Sequence, residues 1–173
     1  MNLDLEVLRT HVKKGDKVSE WYNGENGDIL LGLSDIVSDS GIVYGLDIMN
    51  PFMKSEYHHE LSKRENVKLL RTKIPHNHHH VTNLDAVVIR GFGYAFQRES
   101  FDEAGKAILK PNPDVYESLD KSLKVKGNFI LYLNEFEQQS KDRSLLYDET
   151  IKRFMPNFSK ICDEKYVRVY RKK

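Results

Sequence analysis

The sequence predicts an α/β protein built on a single doubly wound, mostly parallel sheet, with one antiparallel hairpin strand at its carboxyl end. Short apolar runs alternate with segments of helical periodicity along most of the 173 residues. Residues 84–89 are almost continuously apolar, which is typical of a parallel strand buried on both faces. Near the carboxyl end, two runs flank the short polar turn Asp163-Glu164, which predicts the hairpin.

The individual elements follow from periodicity, turn residues and helix caps. No internal repeat, low-complexity tract or linker interrupts them, so a single domain over residues 1–173 is expected. The predicted parallel strands are residues 17–22, 42–48, 67–72, 84–89 and 128–134, and the predicted hairpin pairs residues 158–162 with residues 166–170. The predicted helices are residues 2–13, 28–39, 53–63 and 101–109, one capped by Asp114 that carries Val115, Leu119 and Leu123, and one that contains residues 149–154 and ends before Pro156.

Composition narrows the class of protein. Hydrophobic residues make up 39% and charged residues 31% of the chain, as expected for a soluble globular protein. The net charge of +1 and the lack of a basic, aromatic stripe give no strong nucleic-acid signal. Cys162 is the only cysteine and cannot form an internal disulfide, which fits a reducing compartment. No run approaches the roughly 18 apolar residues of a membrane span, so a cytoplasmic protein without a membrane segment is expected.

Residues 12–49 organise the chain. They are predicted to form a strand, a glycine-containing turn at residues 23–27, an amphipathic helix and a second strand. Glu20 ends the first strand and Asp47 ends the second, which is the arrangement of nucleotide-binding βαβ units. Glu25 and Asp28 also flank the start of the helix, and so many carboxylates would repel a pyrophosphate while suiting a cationic ligand. Glu25 and Asp28 can equally serve only to favour the helix dipole.

The motif order resembles that of the class I S-adenosylmethionine-dependent methyltransferases, which have a Rossmann-like fold. The stretches that carry this resemblance are VKKGDKV, GIVYGLDI, LDAVVI and LKVKGNFILYLNE, and it covers nearly the whole chain. In that family the first strand ends in D/E-x-G-x-G-x-G. Glu20 stands at the acidic position and Gly24 at the middle glycine, whereas Tyr22 and Asn26 stand at the outer glycines and Gly27 follows them. The glycine motif is therefore degenerate.

The resemblance implies S-adenosylmethionine as cofactor and an unidentified methyl acceptor, either a small molecule or a macromolecule. It also implies that Asp47 holds the ribose hydroxyls, although Asp47 can instead start the turn before Asn50-Pro51. The acidic residue usual after the third strand is missing, since that stretch reads LRTKIPH. No catalytic residue is assigned. The expected cofactor-binding residues are Glu20, Tyr22, Gly24, Gly27, Asp47, Ile48, Met49 and Arg90.

Two functions stay open at this point: a methyltransferase, or a catalytically degenerate methyltransferase-like domain that serves as a binding or scaffolding module. Tyr22 separates them, because its ring must either pack into the layer that covers the sheet or point into the methionine subsite. Packing is favoured for an aromatic at a strand end. After the fourth strand, Arg90 could steady a carboxylate or phosphate while Phe92 and Tyr94 wall the acceptor pocket, or the loop simply packs over the sheet edge.

The histidines suggest a metal but do not predict one. His76, His78, His79 and His80 lie within five residues, and imidazoles bind zinc or nickel well. Their spacing matches no helical metal-binding pattern, and the stretch has the composition of a solvated loop. We therefore expect no metal site here.

Overall fold

The computed structural model describes residues 5–47, 53–72, 81–91, 96–101, 103, 107–133, 141–164 and 166–173. In these residues the helices are α1 (Leu5–His11), α2 (Asp28–Val37), α3 (Ser55–Ser62), α4 (Pro113–Ser122) and α5 (Lys141–Phe154). The strands are β1 (Lys17–Trp21), β2 (Ile42–Leu46), β3 (Val67–Leu70), β4 (Leu84–Arg90), β5 (Gln97–Phe101), β6 (Ala107–Pro111), β7 (Leu123–Tyr132), β8 (Phe158–Glu164) and β9 (Val167–Lys172). None of the helices in these ranges is long and apolar enough to cross a membrane.

Seven strands form the main sheet, in the order β3-β2-β1-β4-β7-β9-β8. The five strands from β3 to β7 in this order are parallel. β9 runs antiparallel to both β7 and β8, so it is the one reversed strand of this sheet. The predicted doubly wound sheet with a single antiparallel hairpin strand is therefore confirmed.

The alternation of side chains along β4 creates two core layers, one on each face of the sheet. Val87 and Ile89 belong to the layer beneath α4 and α5, whereas Ala86 and Val88 belong to the layer beneath α1, α2 and α3. All four side chains are fully buried. A strand covered on both faces needs apolar residues at every position, which explains the continuous apolar run in the sequence.

The C-terminus of α2 is fixed from outside the helix. Asn66, in the turn before β3, donates hydrogen bonds from its side-chain amide to the backbone oxygens of Ser34 at 3.2 Å and Ser38 at 3.0 Å. The Ser34 carbonyl also accepts from the Ser38 N–H and the Ser38 carbonyl from the Gly41 N–H, so Asn66 adds a second donor to two carbonyls at the end of α2. Ser38 itself has φ 55, which ends the helix before residue 39.

The helix predicted at residues 101–109 is wrong. β5 and β6 pair there as a separate antiparallel two-stranded sheet, with Gln97 opposite Pro111 and Phe101 opposite Ala107. Gly105 disfavours a helix by about 1 kcal/mol relative to alanine, and it is a common residue between hairpin strands. The spacing of apolar residues every three to four positions was a weaker signal of local structure here than the glycine.

Several predicted boundaries also shift. α4 begins at Pro113, so Asp114 lies in its first turn and does not cap it, while Leu123 is both the C-cap of α4 and the first residue of β7. β1 ends at Trp21 because Tyr22 has φ 61, which lies outside the extended region. β7 begins at Leu123, five positions before the predicted start at 128.

Candidate functional site

The winding of the sheet reverses between β1 and β4, because β2 and β3 lie on one side of β1 and β4 lies on the other. In open α/β sheets, ligands bind beyond the carboxyl ends of the strands at such a reversal. Trp21 is in register with Leu46 of β2 and with Ile89 of β4. The sequence positions just before and after these residues therefore meet at one edge of the sheet, and Glu20, Asp47 and Arg90 are among them.

The turn after β1 is fastened to the end of β2 by two hydrogen bonds that its backbone N–H groups donate. The N–H of Tyr22 donates to the carbonyl of Leu46 at 3.1 Å. The N–H of Gly24 donates to Oδ2 of Asp47 at 2.9 Å. Both Tyr22 and Gly24 have left-handed backbone, with φ of 61 and 60. The turn thus keeps a backbone suited to glycine at both positions, although only one of them is a glycine.

Gly24 and Gly27 have different surroundings, although both belong to the same turn. A Cβ added to Gly24 would meet no heavy atom within 4 Å, so there is open space beside its backbone. A Cβ added to Gly27 would lie 2.8 Å from Cδ1 of Leu61 and 3.0 Å from Cβ of Tyr57, both on α3. The lack of a side chain at Gly27 allows α3 to pack closely, whereas at Gly24 it leaves room for a ligand.

Glu20 is the most unusual residue of the site. Its side chain is fully buried, and neither carboxyl oxygen has a hydrogen-bond partner among the described residues. Burial raises the pKa of the Glu20 carboxyl well above its usual range; Arg90 opposes this change, whereas Asp28 and Asp47 reinforce it. A buried carboxyl without donors favours its neutral form, because an isolated charge is costly to remove from water.

Arg90 and Asp28 form an ion pair beside Glu20. Nη2 of Arg90, at the end of β4, lies 2.5 Å from Oδ1 of Asp28, the first residue of α2. Their side chains are 25% and 33% exposed. The pair joins the N-terminus of α2 to β4, which lies on the opposite side of β1 from β2. It also occupies the guanidinium that, on the sequence alone, was available for an acceptor.

The ring of Tyr22 is half-buried and packs against the core layer that contains Trp21. Burial raises the pKa of the Tyr22 hydroxyl, and the negative charge of Asp47 raises it further. The structure therefore places the ring in the covering layer, which is the packing favoured from the sequence, with its hydroxyl within electrostatic reach of Asp47.

Sequence reasoning overlooked Asn23 and Thr72. The side-chain amide of Asn23 donates to the carbonyl of Gly24 at 3.3 Å, and its buried Oδ1 has no hydrogen-bond partner in the part of the chain that the structure describes. The N–H of Thr72 donates to the carbonyl of Asp47 at 3.4 Å. Asn23 was recognisable from the sequence, because asparagine is common in turns with left-handed backbone. Thr72 was not, because its contact with Asp47 follows only from the pairing of β2 with β3.

Some predicted residues lie outside the described ranges. These are Ile48, Met49, Phe92, Tyr94 and the histidines at positions 76–80. Within the described ranges, no group of three or more histidine, cysteine, aspartate or glutamate side chains is arranged to hold a metal ion.

No protein-family model and no curated protein matches the sequence. Several solved structures match the fold closely. A SAM-dependent methyltransferase from Aquifex aeolicus superposes with a TM-score of 0.69 at 18% identity, covering 97% of this chain and 88% of that chain. The chain has the class I methyltransferase fold.

Two further proteins have this methyltransferase fold. A fibrillarin from Aeropyrum pernix, in complex with natively bound S-adenosyl-L-methionine, has a TM-score of 0.65 at 17% identity and covers 96% of this chain and 72% of its own. A precorrin-6y C5,15-methyltransferase from Geobacter metallireducens has a TM-score of 0.64 at 14% identity, with coverage of 98% and 88%. The names of these neighbours differ, and what this chain shares with all of them is the fold.

Proposed function

We propose that this protein is an S-adenosylmethionine-dependent methyltransferase. The observation that carries the proposal is the hydrogen bond from the Gly24 N–H to the Asp47 carboxylate, which forms at the strand reversal beside the buried Glu20. It joins an open glycine turn to an acidic strand end, the two features that hold the ligand in dinucleotide-binding α/β folds. The class I methyltransferase fold supports the same conclusion.

The residues present fit this cofactor. A carboxylate offers about four acceptor positions, so Asp47 can bind the Gly24 N–H and still accept from two ribose hydroxyls. The open space beside Gly24 allows a ligand to approach the backbone closely. Glu20 and Oδ1 of Asn23 are buried acceptors in need of donors, and an ammonium group supplies such donors. When bound, the cofactor supplies a methyl group activated by its sulfonium.

The chain's own contribution is to orient this cofactor and the acceptor. We place the acceptor beside the carboxyl end of β4, where the N–H of Gly91 donates to the carbonyl of Tyr132 at 2.7 Å and Gly91 has φ 80. Alignment of the two reactants removes much of the entropic barrier of a transfer reaction.

We also place the protein in the cytoplasm, because Cys162 is a free thiol and no helix in the described ranges spans a membrane.

Calorimetric titration with S-adenosylhomocysteine tests the site directly. Asp47→Ala removes charge-assisted hydrogen bonds that contribute about 1.5–3 kcal/mol, so affinity should fall roughly 10- to 150-fold. Asp47→Asn retains an acceptor for the Gly24 N–H, so its affinity for S-adenosylhomocysteine should fall less than that of Asp47→Ala. Asp39→Ala, which removes an exposed carboxylate after the other end of α2, is the matched control and should bind like wild type. Equal affinity for wild type and Asp47→Ala would exclude Asp47 from the site.

One observation favours the second candidate function, a cofactor-binding module without catalysis. Tyr22 occupies a left-handed position that suits glycine, and its hydroxyl lies near Asp47. Transfer of labelled methyl groups from S-adenosylmethionine to fractions of a cell extract separates the two functions. An enzyme labels one fraction with wild type and not with Asp47→Ala. Tight binding without labelling above the Asp47→Ala background would favour the module.

A further inference from the structure

The proposed function leaves the state of Glu20 unexplained. Buried carboxylates are normally satisfied by two or three hydrogen bonds, often from backbone N–H groups. Glu20 has no exposed surface, and both of its oxygens lack partners among the described residues. The two residues in register with it on the neighbouring strands, Gly45 and Val88, carry no charge.

The charged groups that face Glu20 come from three elements. Asp28 belongs to α2, Asp47 follows β2, and Arg90 ends β4. The single guanidinium is bound by Asp28 at 2.5 Å, so it neutralises a different carboxylate. The hydroxyl of Tyr22 is held neutral, since burial and Asp47 both raise its pKa. With all three acids ionised, the described part of the site would hold three negative charges against one positive charge.

We propose that Glu20 is protonated in the cofactor-free protein and releases this proton when a ligand with an ammonium group binds, so that cofactor binding is coupled to proton release. This inference rests on the proposed function, because S-adenosylmethionine and its demethylated product both carry such a group. The O–H bond of the carboxyl breaks, the proton passes to solvent, and an ion pair forms between carboxylate and ammonium. No covalent bond to the ligand forms and no electron is transferred.

The coupling makes affinity depend on pH in a defined direction. Each ligand that binds releases one proton from Glu20, so the dissociation constant should fall roughly tenfold for each unit by which pH rises, as long as Glu20 is protonated in the free protein and ionised in the complex. The α-amino group of the ligand has an ordinary pKa of about 7.7–8.0, so it keeps its own proton at pH values more than about one unit below this. At about pH 6.5 the proton change therefore reports on the protein.

The experiment is calorimetric titration of the full chain with S-adenosylhomocysteine at about pH 6.5, in phosphate and in imidazole buffer. The two buffers differ in ionisation enthalpy, so the difference in binding heat counts the protons released. Wild type should release about one proton for each ligand bound, and Glu20→Gln should release close to none. Asp28→Asn removes a negative charge and leaves Arg90 to stabilise ionised Glu20, so it should release fewer protons than wild type.

A second measurement uses wild type alone and does not depend on folding of the variants. Adenosine has the ribose but no ammonium group, so it should bind without proton release. Binding of S-adenosylhomocysteine to wild type with equal heats in both buffers would overturn the coupling and leave the proposed function intact. Release of the same number of protons by wild type and Glu20→Gln would overturn it as well. Absence of any binding to wild type would reject the proposed function and this inference with it.

Discussion

Replacement of Tyr22 by glycine separates the backbone contribution of this residue from that of its ring. Tyr22 has φ 61, and a left-handed conformation costs an L-residue with a side chain about 1–2 kcal/mol. Glycine adopts it freely, although the more flexible unfolded chain offsets about 0.5–1 kcal/mol of this gain. The ring is half-buried against the core layer, and full removal of a buried aromatic costs about 3–5 kcal/mol.

These terms give a definite order of stability. Loss of a half-buried ring should cost about 2–3 kcal/mol, and relief of the backbone should return up to about 1 kcal/mol, so Tyr22→Gly should unfold about 2 kcal/mol more easily than wild type. Tyr22→Ala loses the ring and keeps the strained backbone, so it should be less stable than Tyr22→Gly by up to about 1 kcal/mol. For a chain of this size, 1 kcal/mol corresponds to about 2–4 °C in Tm.

The assay is thermal unfolding followed by circular dichroism, together with titration by S-adenosylhomocysteine. We expect Tm to decrease in the order wild type, Tyr22→Gly, Tyr22→Ala, with affinity for the ligand unchanged in Tyr22→Gly. A higher Tm for the alanine variant than for the glycine variant would refute the argument from backbone strain. Tighter binding by Tyr22→Gly without loss of Tm would mean that the ring fills the ligand site, and it would favour a repurposed fold over an enzyme.

Three further predictions concern the surroundings of the site. Gly27→Ala should destabilise the protein by about 1–3 kcal/mol, because its Cβ would lie 2.8 Å from Leu61. The Cβ of Gly24→Ala meets no neighbouring atom, so this variant should cost only its backbone strain of about 1–2 kcal/mol. Similar urea midpoints for wild type and Gly27→Ala would contradict this argument. The raised pKa of Glu20 means that the folded protein holds a proton which the unfolded chain releases above its ordinary pKa of 4.5, so wild-type stability should fall by up to about 1.4 kcal/mol per pH unit above that value. Glu20→Gln should therefore raise Tm at neutral pH and do so much less near pH 4.5, and a gain independent of pH would argue against a protonated Glu20. Asn66→Ala removes two side-chain hydrogen bonds at the end of α2, although both carbonyls keep a backbone donor, and it should cost about 1–2 kcal/mol in urea unfolding, with ligand affinity unchanged.

The strands of the main sheet, and its mostly parallel arrangement with one reversed strand, were predictable because their signals are local. The apolar run of β4, the polar turn before β9 and the alternation of strand and helix each lie within about a dozen residues. The hairpin of β5 and β6 was not predictable from periodicity, since its apolar residues also match a helical spacing. Gly105 was the local clue against that helix, and the antiparallel pairing of Gln97 with Pro111 decides the structure.

The site was predictable to the extent that it depends on strand ends. Glu20 and Asp47 each end a parallel strand, and the meeting of these ends at one edge follows from the sheet order alone. The ion pair between Arg90 and Asp28 joins positions 62 residues apart, so no local pattern announces it. The contact of Gly27 with α3 was equally hidden, because the sequence does not distinguish a glycine that admits a ligand from one that admits a helix.

The order of strands in the sheet differs from the order in which a ribosome makes them. β9 lies between β7 and β8, although it is synthesised after both. Until residues 167–172 have emerged, β7 has no partner on that edge, and its unpaired backbone groups flank the buried side chains of Phe129 and Leu131. Such an edge can pair with another chain. We therefore expect a nascent chain stalled before Val167 to need a chaperone, and two such chains held at high concentration to associate through β7.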